Sequence, residues 1–137
     1  MAYVIGIVLA LGVFAFARWT RLDRDRAFYA AVVIVVAQYY VLFATMSAAR
    51  HALVVESIVM ALFVLIAVLG FRRNAWLIVV GLAAHGLFDA VHGHFVANPG
   101  VPEWWPAFCL TFDVGLAALL SLRFARLRRP TARDSSR

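Results

Sequence analysis

Residues 75–95 read AWLIVVGLAAHGLFDAVHGHF, an apolar stretch that carries imidazole and carboxyl groups in its second half. Its length matches that of a membrane-spanning helix, which needs about 20 residues. Similar apolar stretches occupy residues 2–17, 27–47, 52–70 and 107–122. The sequence therefore predicts an all-α integral membrane bundle of five transmembrane helices. We expect one domain over residues 1–123 and a basic cytoplasmic tail over residues 124–137.

The overall composition also indicates a bilayer environment. Hydrophobic residues make up 65% of the 137 residues, whereas soluble domains contain roughly one half. The single cysteine, Cys109, excludes an intramolecular disulfide. Helix packing within lipid must therefore stabilise the fold, and we expect a multi-pass membrane protein.

The positions of the basic residues predict the orientation of the chain. All 13 are arginines, and most follow the first, third or fifth apolar stretch, whereas Arg50 lies in a loop on the opposite side. Because loops rich in arginine stay in the cytoplasm, we expect the N-terminus outside and the C-terminus in the cytoplasm. Arginines placed this way indicate topology and contact with membrane lipids, and they do not indicate a nucleic-acid interface.

Ionisable residues inside the apolar stretches form a second pattern. They comprise acids and histidines without any arginine or lysine among them: Glu56, His85, Asp89, His92, His94 and Asp113. An ionised acid in hydrocarbon costs roughly 2.5 to 3.5 kcal/mol even on insertion scales. We therefore expect protons, a metal ion or a cationic ligand to compensate these groups.

The helical rise places the acids at similar depths in the outer half of the membrane. At about 1.5 Å per residue, Glu56 lies about 6 Å below the outer boundary, and Asp89 and Asp113 lie about 9 Å below it. His85 lies deeper, at about 15 Å, and shares one helical face with Asp89 and His92. Three helices are thus predicted to bring polar groups into one site.

Two chemical interpretations of this site remain open. Asp89, His92, Asp113 and Glu56 offer the mixed nitrogen and oxygen ligands of a divalent metal, with zinc favoured over manganese or iron. The candidate catalytic residues are His85, Asp89 and Glu56, with His85 moving protons. The alternative is a hydrogen-bonded network of neutral acids and histidines that joins the helices.

The surroundings of the site carry further expectations. Residues 96–106 contain three prolines and two tryptophans, which indicates a stiff turn anchored at the headgroup level or a roof over a cavity. Gln38, Tyr39 and Tyr40 interrupt the second apolar stretch, and we expect one or two of them to reach the site. Cys109 lies one turn from Asp113 and reads as a small core residue.

The second half of the chain resembles a known group of proteins. Its polar and small residues occur in the order Gly81, His85, Asp89, His92, Pro102, Trp105-Pro106, Cys109 and Asp113. This order resembles a family of small bacterial integral membrane proteins known only as a domain of unknown function, with Glu56 as the matching acid of the third span. The resemblance implies a multi-pass protein of the inner (plasma) membrane. The pattern is also distantly similar to membrane hydrolases of the alkaline ceramidase type, which pair His and Asp with zinc. This chain has fewer spans and no H-x-x-x-H.

Three functions of different classes are compatible with the sequence. The first is a metal-dependent, hydrolase-like membrane enzyme that acts on a lipid-like or periplasmic substrate. The second is a proton or cation pathway, or a transporter subunit, although the cytoplasmic halves of the spans show no matching polar trail. The third is a non-catalytic binding or assembly subunit. Association into a homo-oligomer is compatible with all three.

Overall fold

The computed structural model describes residues 1–127. Its five α-helices are α1 (Ala2–Thr20), α2 (Arg26–Met46), α3 (Arg50–Arg72), α4 (Trp76–Phe95) and α5 (Trp105–Leu127). A single 3-10 turn, Leu22–Arg24, connects α1 to α2. Each α-helix is long and apolar enough to cross a membrane, with a mean hydropathy of 1.4 to 2.8 over its best 18-residue window. The predicted all-α class and the five helices are confirmed.

The helices extend beyond the apolar stretches that predicted them. α3 includes Arg50 and Arg72 at its two ends, and α5 begins at Trp105 with Pro106 in its first turn. Proline fits there because the first N–H groups of a helix have no intrahelical partner. α5 also continues to Leu127, past the predicted boundary at residue 123. The rest of the predicted basic tail, residues 128–137, lies outside the described residues.

The helix α4 occupies the middle of the bundle. It contacts α2, α3 and α5, and α1 packs against the far side of α5. The apolar interior is built from side chains such as Val33, Phe63, Leu82, Leu116 and Leu120, all at most 7% exposed. Many large apolar side chains lie on the outer surface instead. Such an exterior suits a hydrocarbon environment, where apolar side chains need no shielding.

The two ends of the bundle differ in charge. One end, here called the arginine end, carries the described arginines other than Arg50. There Arg123 Nη1 lies 2.9 Å from Asp23 Oδ2 and donates to the Asp23 carbonyl oxygen at 3.0 Å, and Arg26 donates to the Arg73 carbonyl oxygen at 3.4 Å. The opposite end, here called the loop end, is covered by residues 96–104, which connect α4 to α5.

A glycine allows α4 and α5 to approach closely beside the polar residues. A Cβ atom at Gly86 would lie 3.1 Å from Asp113 Cβ, from the Leu110 carbonyl oxygen and from Val114 Cγ2. Because Gly86 carries no side chain, the backbones of the two helices come together at this level. Asp113 of α5 is thereby positioned next to His85 of α4.

Candidate functional site

The polar side chains predicted from the sequence converge in the interior near the middle of α4. Five of them are at most 2% exposed: Glu56, His85, Asp89, His92 and Asp113. They come from α3, α4 and α5. They converge because the three residues of α4 share one helical face, which points towards both neighbouring helices. The sixth, His94, is exposed. The site is therefore enclosed by the chain itself.

Three of these residues form a group that we call the His–Asp cluster: His85, Asp89 and Asp113. The Nδ1 atom of His85 lies 2.7 Å from Asp113 Oδ2 and 3.3 Å from Asp89 Oδ2. One ligand atom from each residue lies within 4.8 Å of the others. The ring of Phe63 packs edge-on against the imidazole, with the ring centroids 4.9 Å apart. The cluster thus combines two carboxylates and one imidazole in apolar surroundings.

Most of the carboxylate oxygens in this cluster lack a hydrogen-bond donor. Both oxygens of Asp89 and Oδ1 of Asp113 are buried without a hydrogen-bond partner. The Tyr40 hydroxyl faces the Asp89 carboxylate, but it does not meet the geometry of a hydrogen bond and is itself without a partner. A buried polar atom without a partner costs about 1 to 3 kcal/mol, and a charged one costs more. The cluster therefore requires additional protons or a cation.

The other two buried residues form a separate pair, Glu56 and His92. The Nε2 atom of His92 lies 2.6 Å from Glu56 Oε1. Asn98 of the loop end donates from Nδ2 to the same Glu56 oxygen at 3.1 Å and to the Tyr40 carbonyl oxygen at 3.0 Å. This loop residue therefore covers the Glu56–His92 pair on the side of the loop end. Sequence reasoning missed Asn98, because an asparagine before Pro99 is typical of a turn and only the tertiary fold shows its partners.

Tyr40 of α2 lies between the two groups. Its ring stacks on the His92 imidazole, with centroids 4.1 Å apart and planes at 27°, and its centroid lies 6.2 Å from that of His85. Of the three residues expected to reach the site from α2, Tyr40 does so, whereas Gln38 and Tyr39 are exposed. One aromatic side chain thus contacts both halves of the polar site.

The structure divides the predicted metal ligands between these two groups. Asp89 and Asp113 lie together, but the imidazole beside them belongs to His85, which was predicted to move protons. His92 and Glu56, predicted as ligands, instead contact each other. His85 and His92 are about 10 Å apart along α4. The acid of α5, Asp113, contacts His85, which is nearer the arginine end, and the acid of α3, Glu56, contacts His92, which is nearer the loop end. Sequence spacing alone did not show which neighbour faces which turn.

The His–Asp cluster has the chemistry of a divalent metal site. One imidazole nitrogen and two carboxylates are ligands that zinc accepts, and three protein ligands with an open position are typical of catalytic zinc. Ligand atoms at about 2.0 to 2.2 Å from a tetrahedral ion lie about 3.4 Å apart, close to the 3.3 Å between His85 and Asp89. The 2.7 Å contact between His85 and Asp113 is a hydrogen bond. Two carboxylates would also balance the charge of a divalent ion.

An apolar groove lies on the side of the bundle, next to the turn of α5 that precedes Asp113. It is bounded by α1, α2 and α5 and has a volume of about 690 Å³. Its lining residues include Ile5, Val32, Tyr39, Trp105, Cys109 and Phe112. Cys109 forms part of its floor, lies one turn before Asp113 on α5, and is within electrostatic range of Asp89 and Asp113. Cys109 thus lines the groove, whereas the three residues of the His–Asp cluster do not.

Comparison with known proteins adds no relative. No protein-family model, curated protein or solved structure matches this chain. The class of the protein is therefore defined by its own architecture, a five-helix bundle apolar enough for a membrane with a buried group of His and Asp residues that could hold a metal. The resemblances noted from the sequence stay predictions.

Proposed function

We propose that this chain is a multi-pass membrane enzyme that uses a divalent metal, zinc first, to hydrolyse a lipid-like substrate. In this proposal the N-terminus lies outside, the arginine end lies in the cytoplasm and the His–Asp cluster lies in the outer half of the bilayer. One observation carries the proposal. Three carboxylate oxygens beside the His85 imidazole are buried without hydrogen-bond donors, and such oxygens need a cation or protons.

The residues of the site would divide the chemistry between them. His85, Asp89 and Asp113 would hold the metal, which when bound supplies Lewis-acid polarisation of a carbonyl or phosphoryl oxygen and activates water. Glu56 and His92 share a hydrogen bond of 2.6 Å, and such a carboxylate–imidazole pair can accept and return a proton. Asn98 and the Tyr40 ring hold this pair in place.

The apolar groove supports a lipid-like substrate. Its volume of about 690 Å³ lies within the range of about 300 to 1,000 Å³ of ligand pockets. Its walls are aliphatic and aromatic, which suits an acyl chain. Because Cys109 joins the floor of the groove to the turn that carries Asp113, a chain bound there would end next to the cluster. The reacting carbonyl or phosphoryl group would then lie beside the metal.

The two competing functions have less support. A proton or cation pathway needs polar groups towards the arginine end, but in residues 1–127 the buried side chains between His85 and that end are apolar apart from Tyr29, among them Leu82, Ile78 and Leu120. An assembly subunit would receive a partner's arginine at the acids. The acids are at most 1% exposed, so such a partner would have to open the bundle.

Metal content and lipid turnover test the proposal together. We expect the full chain, purified in mild detergent, to contain about one zinc per chain by elemental analysis and to release products from a lipid extract, detected by mass spectrometry. Asp89→Asn keeps the side-chain shape but removes the charge, so metal and turnover should both be lost. Glu103→Gln, which changes an exposed acid at the loop end, is the matched control and should retain both.

Two outcomes would contradict this function. One is wild-type protein that contains no metal and still releases the same products after treatment with a chelator. The other is an Asp89→Asn variant that keeps its zinc. Proton flux across liposomes that disappears in Asp113→Asn, without any lipid turnover, would instead favour the pathway function.

A further inference from the structure

A second cavity lies at the arginine end, on the far side of the bundle from the polar residues of the loop end. It has a volume of about 340 Å³, and its lining includes Arg24, Arg26, Tyr29, Arg73, Trp76 and Arg123. These residues come from the turn after α1, the start of α2, the turn between α3 and α4, and the end of α5. We propose that this cavity binds a phosphate group, as an anionic phospholipid headgroup or as a free phosphate.

The charge of the cavity favours an anion. Of its two acids, Asp23 contacts Arg123 at 2.9 Å and Arg18 at 3.5 Å. The other, Asp25, accepts a hydrogen bond from the Ala27 N–H at 3.0 Å and so caps α2. Within residues 1–127, no carboxylate forms an ion pair with the remaining arginines of the lining: Arg24, Arg26 and Arg73. Their guanidinium groups retain donors for a ligand.

Two buried polar atoms of the lining also lack a partner. The Tyr29 side chain is only 3% exposed, and neither its hydroxyl nor Nε of Arg123 has a hydrogen-bond partner. Buried donors of this kind are usually satisfied by water or a ligand. A phosphate oxygen would accept from both, because phosphate offers several acceptors to a planar guanidinium.

One helix start adds to the positive potential. α4 begins at Trp76, which lines the cavity, so the positive end of its dipole favours an anion there. At the start of α2 the Asp25 carboxylate already caps the helix. Trp76, Phe124 and Leu127 supply an apolar border, and tryptophan is enriched at the level of lipid headgroups. This border favours the lipid headgroup among the two sources.

Neighbouring arginines provide a matched test. The full chain is reconstituted in nanodiscs of phosphatidylcholine with or without phosphatidylglycerol, and bound lipid is counted by native mass spectrometry. We expect one phosphatidylglycerol to be retained, with Arg73→Gln weakening retention by about tenfold. Arg72→Gln removes the same charge one residue away, outside the cavity lining, and should weaken it by less than about twofold. Tyr29→Phe should weaken it by about threefold.

A second arm separates the two sources of phosphate. Inorganic phosphate is titrated into protein in zwitterionic detergent, and thermal unfolding is followed for the same variants. An Arg73-dependent stabilisation by phosphate, without selective retention of phosphatidylglycerol, would support the cavity with free phosphate as its ligand. Equal effects of Arg72→Gln and Arg73→Gln, or no binding in either arm, would overturn the proposal. Neither arm depends on metal or turnover, so its outcome is independent of the proposed enzyme function.

Discussion

At the scale of single residues, the buried polar groups of this chain differ in their hydrogen-bond partners. Glu56 and His92 satisfy each other, and Asn98 adds a donor to the Glu56 carboxylate. Asp89, three residues before His92 on the same face of α4, has the His85 imidazole at 3.3 Å, but neither of its oxygens has a hydrogen-bond partner. Similar residues therefore differ in their surroundings: the Glu56–His92 pair is hydrogen-bonded, whereas the His85–Asp89–Asp113 cluster could hold a cation.

Replacing Asn98 by alanine tests how strongly the loop end is tied to the helices. Asn98→Ala removes the amide group that donates to Glu56 Oε1 and to the Tyr40 carbonyl oxygen. We expect the free energy of unfolding in mixed micelles to fall by about 1 kcal/mol. Gln38→Ala removes an exposed amide from α2 and should change it by less than about 0.5 kcal/mol. Equal losses in both variants would show that the Asn98 contacts do not stabilise the fold.

The sequence identified the site residues better than it identified their partners. An acid inside hydrocarbon costs free energy, so Glu56, Asp89 and Asp113 were recognisable from their positions within apolar stretches of the sequence. Their pairing depends on which turn of α4 faces α3 and which faces α5. This is set by the rotation of α4 about its own axis, which no local sequence pattern encodes. Asn98 was not recognised, because a loop amide has ordinary uses elsewhere, and Tyr40 was expected only as one of three candidates on α2.

At the scale of helices, hydropathy predicted the elements but not their ends. The five apolar stretches correspond to the five helices in order. The differences lie where charged or polar residues continue a helix, as at Arg72 or at Trp105 before Pro106. Hydropathy reports where a segment becomes polar, whereas a helix ends where its backbone hydrogen bonds stop.

The close approach of α4 and α5 can be tested at Gly86. A Cβ atom there would lie 3.1 Å from atoms of Asp113, Leu110 and Val114, closer than ordinary van der Waals contact, so Gly86→Leu should lower the free energy of unfolding by about 1 to 3 kcal/mol. Gly93, two turns further along α4, has open space around it, and Gly93→Leu should cost less than about 0.5 kcal/mol. A tolerant Gly86 would mean that the two helices lie further apart than described. Denaturant unfolding in mixed micelles measures both variants.

At the scale of the whole molecule, charge separates the two ends. Eight of the nine arginines in residues 1–127 lie at the arginine end, and Arg50 lies at the other. The positive-inside rule assigns the arginine end to the cytoplasm. The apolar stretches of the sequence were sufficient to predict five helices, each long and apolar enough to cross a membrane. The orientation itself stays a prediction.

Cysteine labelling in intact cells tests this orientation. Glu103→Cys places a thiol on the exposed loop end, and Arg126→Cys places one on the exposed last turn of α5. A membrane-impermeant maleimide should label the first in intact cells and the second only after permeabilisation. Wild-type protein is the background control, because Cys109 is buried. The reverse labelling pattern would contradict the proposed topology.

The lateral position of the apolar groove has a kinetic consequence. Its opening between α1 and α2 faces the side of the bundle, along the outer surface that suits hydrocarbon. Under the proposed function, a lipid-like reactant that enters there diffuses in two dimensions, and its supply depends on its mole fraction in the surrounding lipid, not on its concentration in water. Diluting the reactant with inert lipid at constant bulk amount would then slow the reaction, a surface-dilution behaviour that a groove open to water would not produce.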